Sequence, residues 1–201
     1  MVICHNKKCI YIHIPKTAGT SVEQFLRENG QNGLQYHGVR DGRSMHHFTA
    51  FDLKREVPHI YNNYYKFSII RNPYDRLLSE YYWTPIPGVG YKSGQTKADF
   101  ITYVSKVVNQ RLFFDNIFND HFIPQHLFIY NGKKLMIDQL FRYEDLDWTV
   151  EYLKKKLNIN IDFPYLNKSK NSFVKSEWTN RQKERIYKIY QKDFILFNYN
   201  K

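Results

Sequence analysis

Cysteine is nearly missing from this chain: its 201 residues contain two, Cys4 and Cys9. A Cys-x4-Cys pair with no second Cys or His pair is not a zinc framework, and two thiols cannot build a disulfide scaffold. They read as reduced thiols flanking the first strand. Long apolar runs are missing as well. No stretch approaches the ~18 apolar residues of a membrane span, and no apolar leader precedes a small-residue cleavage site. Cys9–Ile14 is too short for a signal core. The expectation is a soluble, cytoplasmic chain that is not exported. No internal repeat or low-complexity linker interrupts residues 1–201, so a single domain is expected. Acidic residues are in deficit, 19 Asp and Glu against 30 Lys and Arg, for a formal charge of +11. That excess predicts anionic partners. By itself it does not choose among nucleotides, sulfated or carboxylated glycans, nucleic acid and anionic membranes.

What is present is material for a core. Hydrophobic residues make up 42%, with 17 Tyr and 15 Phe, a globular composition and not a disordered one. The first strand is read at Cys9–Ile14, where Ile10, Ile12 and Ile14 alternate with Tyr11 and His13. The alternation makes His13 a packed strand residue. A turn, Pro15–Gly19, leads into a helix of about two turns, with Val22, Phe25 and Leu26 as its apolar face and Asn29-Gly30 as its stop. Residues 31–45 read as loop. Thr49 caps a short helix that Pro58 ends. Tyr65–Ile70 is a short apolar run of the parallel-sheet kind, broken at Arg71-Asn72-Pro73. Asn72 as N-cap and Pro73 at the first helical position start a helix reaching Tyr82.

Residues 84–96 are loop, and a helix follows near residues 98–108. Strands are expected at Leu127–Tyr130 and near Ile137–Phe141, with an Asn131-Gly132 turn between them. Helices at Trp148–Leu157 and Asn180–Phe197 finish the chain, the last opened by a Thr179/Gln182 capping box. Strands alternating with helices imply an α/β fold around a mainly parallel sheet.

Pro15-Lys16-Thr17-Ala18-Gly19-Thr20-Ser21 stands between a strand and a helix, where free backbone amides and the helix N-terminus favour phosphate. Gly19 permits close approach, Lys16 brings a cation, and Thr20 and Ser21 bring hydroxyls. This is not a Walker A loop, because the Lys precedes the Gly instead of following it. A second candidate follows the next strand. Arg71 at a strand's carboxyl end can offer a bidentate guanidinium to phosphate. Ser79 falls two turns along the helix on nearly the same face as Asn72. Arg76 reads as structural, pairing with Glu80 or another buried carboxylate.

Ile12-His13-Ile14-Pro15-Lys16-Thr17-Ala18-Gly19-Thr20-Ser21 closely resembles the 5′-phosphosulfate loop of the membrane-type carbohydrate sulfotransferases and their bacterial and viral relatives. That group includes heparan sulfate 2-O-sulfotransferase. Ile69-Ile70-Arg71-Asn72-Pro73-Tyr74-Asp75-Arg76 and the helix after it resemble the same family's 3′-phosphate motif. The resemblance implies a P-loop NTPase-like sulfotransferase fold and 3′-phosphoadenylyl sulfate (PAPS) as donor, leaving adenosine 3′,5′-bisphosphate (PAP). It also implies that the loop residues Lys16, Thr17, Ala18, Gly19, Thr20 and Ser21 hold the 5′-phosphosulfate, and that Arg71 and Ser79 hold the 3′-phosphate. Asn167-Lys168-Ser169 is similar to a loop near the donor, which brings Lys168 and Ser169 toward the nucleotide. Phe141-Arg142-Tyr143-Glu144-Asp145-Leu146 resembles a strand-to-helix turn with a structural role. His121-Phe122-Ile123-Pro124-Gln125 resembles a family segment on the acceptor side.

Sulfuryl transfer to a hydroxyl needs a base, and a His titrating near neutrality suits it. The family carries its base as a His followed two residues later by Ser or Thr. His47, ahead of Thr49, occupies that place, with His46 as understudy. Lys16 is the partner of the leaving phosphate oxygen, and the scheme requires no metal. The expected acceptor is a hydroxyl, on a glycan by the resemblance. Tyr81, Tyr82, Trp83, Tyr91, Lys92 and Lys97, around the 84–96 loop, are suited to stacking on sugars and attracting acidic groups. The family's Golgi anchor is absent from this sequence, so Golgi localisation is not carried over. The Lys, Asn, Ile and Tyr bias is that of an AT-rich genome, microbial or viral. Two other classes stay open. A P-loop nucleotide kinase lacks its Walker ending here, and a basic binder of nucleic acid or sulfated glycan lacks a binding signature.

Overall fold

The computed structural model describes residues 2–29, 34–35, 39–40, 43–83, 97–109, 119–166 and 178–201. β1 (Val2–Cys4) and β2 (Cys9–Ile12) form an antiparallel pair that sets Cys4 opposite Cys9, both free thiols and both buried. β1, with three residues, is too short to show a period, and the sequence reading missed it. β2 ends two residues before the expected limit, and all four of its residues are buried, as in a strand covered on both faces. α1 (Gly19–Asn29) is longer than expected because Gly19, Thr20 and Ser21 of the phosphate motif already form its first turn. Val22, Phe25 and Leu26 are fully buried, as their spacing predicts.

β3 (Leu34–Gln35), β4 (Val39–Arg40) and β5 (Arg43–Ser44) occupy the stretch read as loop, each too short for periodicity. A 3-10 turn, Met45–His47, precedes α2 (Ala50–Glu56). Pro58, expected only to end that helix, also opens α3 (Pro58–Asn63) from its favoured first position. β6 (Tyr65–Ile70) and α4 (Pro73–Trp83) fall where expected, with Asn72 Oδ1 accepting from the Tyr74 amide at 2.9 Å. α5 (Lys97–Val108) comes next, and a 3-10 turn, Asn119–His121, comes after it.

The expected strand Leu127–Tyr130 is corrected: its first three residues belong to the short helix α6 (His126–Ile129), and only Tyr130 is in a strand. Phe128 and Ile129 are both buried while Leu127 is exposed, so burial does not alternate there. The Asn131-Gly132 turn does join two strands, β7 (Tyr130–Asn131) and β8 (Lys134–Leu135), with Gly132 at φ 62°. β9 (Gln139–Arg142), α7 (Leu146–Leu157) and α8 (Asn180–Leu196) complete the chain. Thr179 and Gln182 form the expected capping box of α8.

The main sheet has the order β3-β1-β2-β6-β9. β2, β6 and β9 are parallel, and β1 runs antiparallel to its neighbours, so the fold is α/β with a mainly parallel sheet flanked by helices. The described residues group into two compact units. The first, within 1–71 and 125–167, contains the sheet and a core including Tyr11, Phe25, Phe67, Phe141 and Leu153. The second, within 72–124 and 168–201, is helical, with Tyr81, Tyr103, Phe122, Tyr190 and Phe194 in its core. Among the described residues no helix is long and apolar enough to cross a membrane.

Candidate functional site

The parallel strands β2, β6 and β9 share one direction, so their carboxyl ends gather the segments that follow them: the Pro15–Ser21 loop, Arg71 and Tyr143. The Ser68 hydroxyl donates to the Ile12 carbonyl at 2.7 Å, tying the ends of β2 and β6 together below the loop.

The loop itself is strained. Lys16 and Ala18 both adopt left-handed backbone conformations, φ 69° and 71°, which side chains disfavour. Such positions cost about 1–3 kcal/mol each and cluster at ligand clamps. Left-handed residues in a turn also aim successive amides into a concave, anion-binding nest. Thr17, between them, is fully buried, and its hydroxyl donates to the Ile14 carbonyl at 2.8 Å. Its side chain braces the loop, and only its backbone amide is left to face an anion. Ser21 is buried too, its Oγ accepting from the Leu166 amide at 3.0 Å. Thr20 is exposed and Lys16 half-buried.

Gly19 is required for a reason the sequence did not show. A Cβ placed there would lie 1.7 Å from His13 Nε2. The close approach is made by the chain's own imidazole. Gly19→Ala is therefore expected to displace His13 and to cost roughly 1–3 kcal/mol of stability, as overpacked sites do. Chemical denaturation measures this, and an unchanged midpoint would mean that the ring shifts freely.

His13 lies just past the end of β2, half-buried, and donates through Nδ1 to Glu23 Oε1 of α1 at 2.9 Å. Burial lowers His13 to about 3, although the Glu23 hydrogen bond pulls the other way. Burial pushes Glu23 upward, but hydrogen bonds from His13 and His46 outweigh it, and the carboxyl ends well below its ordinary range. At neutral pH the pair is thus a neutral imidazole on a carboxylate. His46 Nδ1 is 3.9 Å from Glu23 Oε2, and the His47 ring meets His13 edge-to-face at 4.8 Å between centroids. His47 thereby stands one ring away from Gly19 of the Pro15–Ser21 loop. Thr49, two residues on, caps α2: its Oγ1 accepts from the Asp52 amide while Asp52 Oδ2 accepts from the Thr49 amide. The cap holds the turn that carries His47.

Arg71 converges on the same loop. Its Nη1 donates to the Lys16 carbonyl at 3.3 Å, and its guanidinium stacks over the Tyr143 ring at 4.1 Å. Gln125, fully buried, clamps the Arg71 backbone from both sides, accepting from its amide at 2.9 Å and donating to its carbonyl at 2.8 Å. Arg71 Nε is buried and has no hydrogen-bond partner among the described residues. A buried, unpaired donor on a guanidinium is costly unless a ligand satisfies it. A phosphate suits that donor in chemistry and charge.

A match to the sulfotransferase family spans residues 1–200. The chain belongs to the sulfotransferase family. It is 21% identical over 240 aligned positions to carbohydrate sulfotransferase 11 of Rattus norvegicus, covering 100% of this chain and 67% of that protein. The corresponding protein of Mus musculus gives the same figures. No solved structure matches the chain.

In the second unit of this sulfotransferase, Ser79 is half-buried on α4. Arg76 is 1% exposed, and its Nη2 donates to the His121 carbonyl at 2.6 Å and to the Ile123 carbonyl at 3.0 Å. Glu80 Oε2 accepts a hydrogen bond from His121 Nδ1 at 2.7 Å, and Trp83 stacks on that imidazole. Lys168, Ser169, Tyr91 and Lys92 lie outside the described residues. Sequence reasoning missed three residues of the candidate site: Glu23, Gln125 and Tyr143 as partners of His13 and Arg71. Gln125 and Tyr143 sat in segments already singled out by resemblance, and that was the available signal. Glu23 had none.

Proposed function

We propose that this sulfotransferase moves a sulfuryl group from PAPS to a hydroxyl of a carbohydrate, with His47 as general base. The observation that carries the reading is Arg71: a guanidinium whose buried Nε has no hydrogen-bond partner among the described residues, held against the carbonyl of Lys16 in a strained loop. One anionic ligand bearing phosphates at two ends answers both features.

In this reading the backbone amides of Lys16–Gly19, the Lys16 ammonium and the hydroxyls at Thr20 and Ser21 receive the 5′-phosphosulfate. Arg71 receives the 3′-phosphate, and Ser79 joins it by its place in the motif. Lys168 and Ser169 are assigned to the nucleotide on sequence alone. The acceptor oxygen attacks sulfur as its proton passes to His47, with His46 as the alternative. The bond from sulfur to the bridging phosphate oxygen breaks, Lys16 offsets the charge that collects there, and PAP departs from the sulfate ester. Positioning and charge stabilisation supply most of the rate in such transfers, and the scheme has no step for a metal. A glycan acceptor is supported by the relatives' name, carbohydrate sulfotransferase 11. The activity is assigned to a single domain, residues 1–201.

Thermal stabilisation by PAP, by ATP with Mg2+ and by DNA at several salt concentrations tests the donor. PAP at ~100 times its dissociation constant should add about 2.7 kcal/mol. A preference for ATP with Mg2+ would make the chain a nucleotide kinase. Binding only to DNA, falling steeply with salt, would make it a nucleic-acid binder. Labelled-sulfate transfer to a series of desulfated glycosaminoglycans then identifies the acceptor.

A further inference from the structure

We infer that Glu23, acting through His13, is a positioning residue for the base. This inference rests on the proposed sulfuryl transfer and on His47 as its proton acceptor. Four observations meet at this pair. Glu23 is 6% exposed, on α1, the helix that follows the Pro15–Ser21 loop. Its Oε1 accepts the Nδ1 proton of His13 at 2.9 Å. The His13 ring fills the space over Gly19, the position where a side chain would strike Nε2. The opposite side of the cluster presents His13 edge-to-face to His47, with His46 3.9 Å from the second carboxylate oxygen.

A buried carboxylate beside a helix start that should bind phosphosulfate is unfavourable for donor binding, because like charges repel and the helix N-terminus prefers the donor's anion. Its presence needs a compensating role, and the hydrogen bond defines one. An imidazole held by a carboxylate at Nδ1 has one tautomer and one ring orientation. His13 so fixed becomes a rigid wall shared by the loop at Gly19 and the base at His47. Reacting groups misplaced by about 1 Å can lose ~10²-fold in rate. Glu23 therefore keeps the base in register with the sulfur that the loop presents, without touching either substrate.

The test uses Glu23→Ala, Glu23→Gln and His47→Ala in the full chain. It reads the His13 tautomer by long-range nitrogen–proton correlation NMR, PAP affinity by calorimetry, and kcat and KM on a desulfated glycosaminoglycan that the wild-type chain sulfates. In wild type His13 should carry its proton on Nδ1. Glu23→Ala should lose that signal and lower kcat about tenfold or more, with PAP affinity within about twofold. Glu23→Gln keeps an acceptor oxygen and should restore both the tautomer and most of kcat.

An unchanged tautomer or an unchanged kcat in Glu23→Ala overturns the inference. So does a kcat loss matched by an equal loss of PAP affinity, which would mean general damage to the loop. Should Glu23→Ala fail to fold, Glu23→Gln decides alone, and a His13 without its Nδ1 proton there is fatal. His47→Ala separates the two levels. Full turnover in that variant removes the base assignment and the positioning role with it. A loss in His47→Ala but not in Glu23→Ala removes the positioning role alone.

Discussion

Arg71→Ala is expected to weaken PAP binding by roughly 2–5 kcal/mol, between about 30-fold and a few thousand-fold in Kd, the range for truncating one partner of a buried charged pair. The guanidinium is already oriented for the task. Gln125 holds its backbone at both polar groups, Tyr143 supports its flat face, and Nε has no hydrogen-bond partner among the described residues. Little side-chain freedom remains to be lost when phosphate arrives, and such preorganisation raises affinity. The apo protein should lose much less, because the cation–π contact of ~0.5–2 kcal/mol and the long hydrogen bond to the Lys16 carbonyl are offset in part by relief of an unsatisfied donor. Calorimetric titration with PAP, alongside melting of the ligand-free variant, measures both quantities. Arg71→Lys should fall between the two, keeping charge without the planar fork. Wild-type PAP affinity in Arg71→Ala would remove this residue, and with it the second phosphate site, from the proposal.

His47→Ala carries the other large effect. Loss of a general base lowers turnover by ~10²–10⁴-fold, while PAP affinity should stay near wild type, since no donor contact is assigned to the imidazole. The same substitution at His46 should cost far less if His46 is only the understudy. Single-turnover transfer of labelled sulfate separates the chemical step from product release. Turnover undiminished in His47→Ala and lost in His46→Ala would exchange the two roles. Undiminished turnover in both would end the histidine mechanism.

Much of the architecture was legible because it is written locally. The Thr179/Gln182 box, the Asn72-Pro73 helix start and the Asn131-Gly132 turn each depend on residues within one turn of backbone, and each occurs as its chemistry predicts. Leu127, Phe128 and Ile129 were misread because a short apolar run suits a strand or a buried helix turn equally until tertiary packing chooses. β1 was missed for a related reason: its strand character comes from pairing with β2 and β3 on either side, not from a pattern of its own.

The site divides along the same line. Residue order alone marked two turns suited to anions after two buried strands, since a strand running into Pro15–Ser21 or into Arg71-Asn72-Pro73 must break there and leave amides and cations at its carboxyl end. Only the folded chain decided what those turns are held by. Gln125 lies 54 positions beyond the arginine it clamps, and His13 reaches across 10 positions to the carboxylate that orients it. Partners so distant are selected by shape and burial once the sheet and helices pack, and no periodicity or motif records that choice in advance.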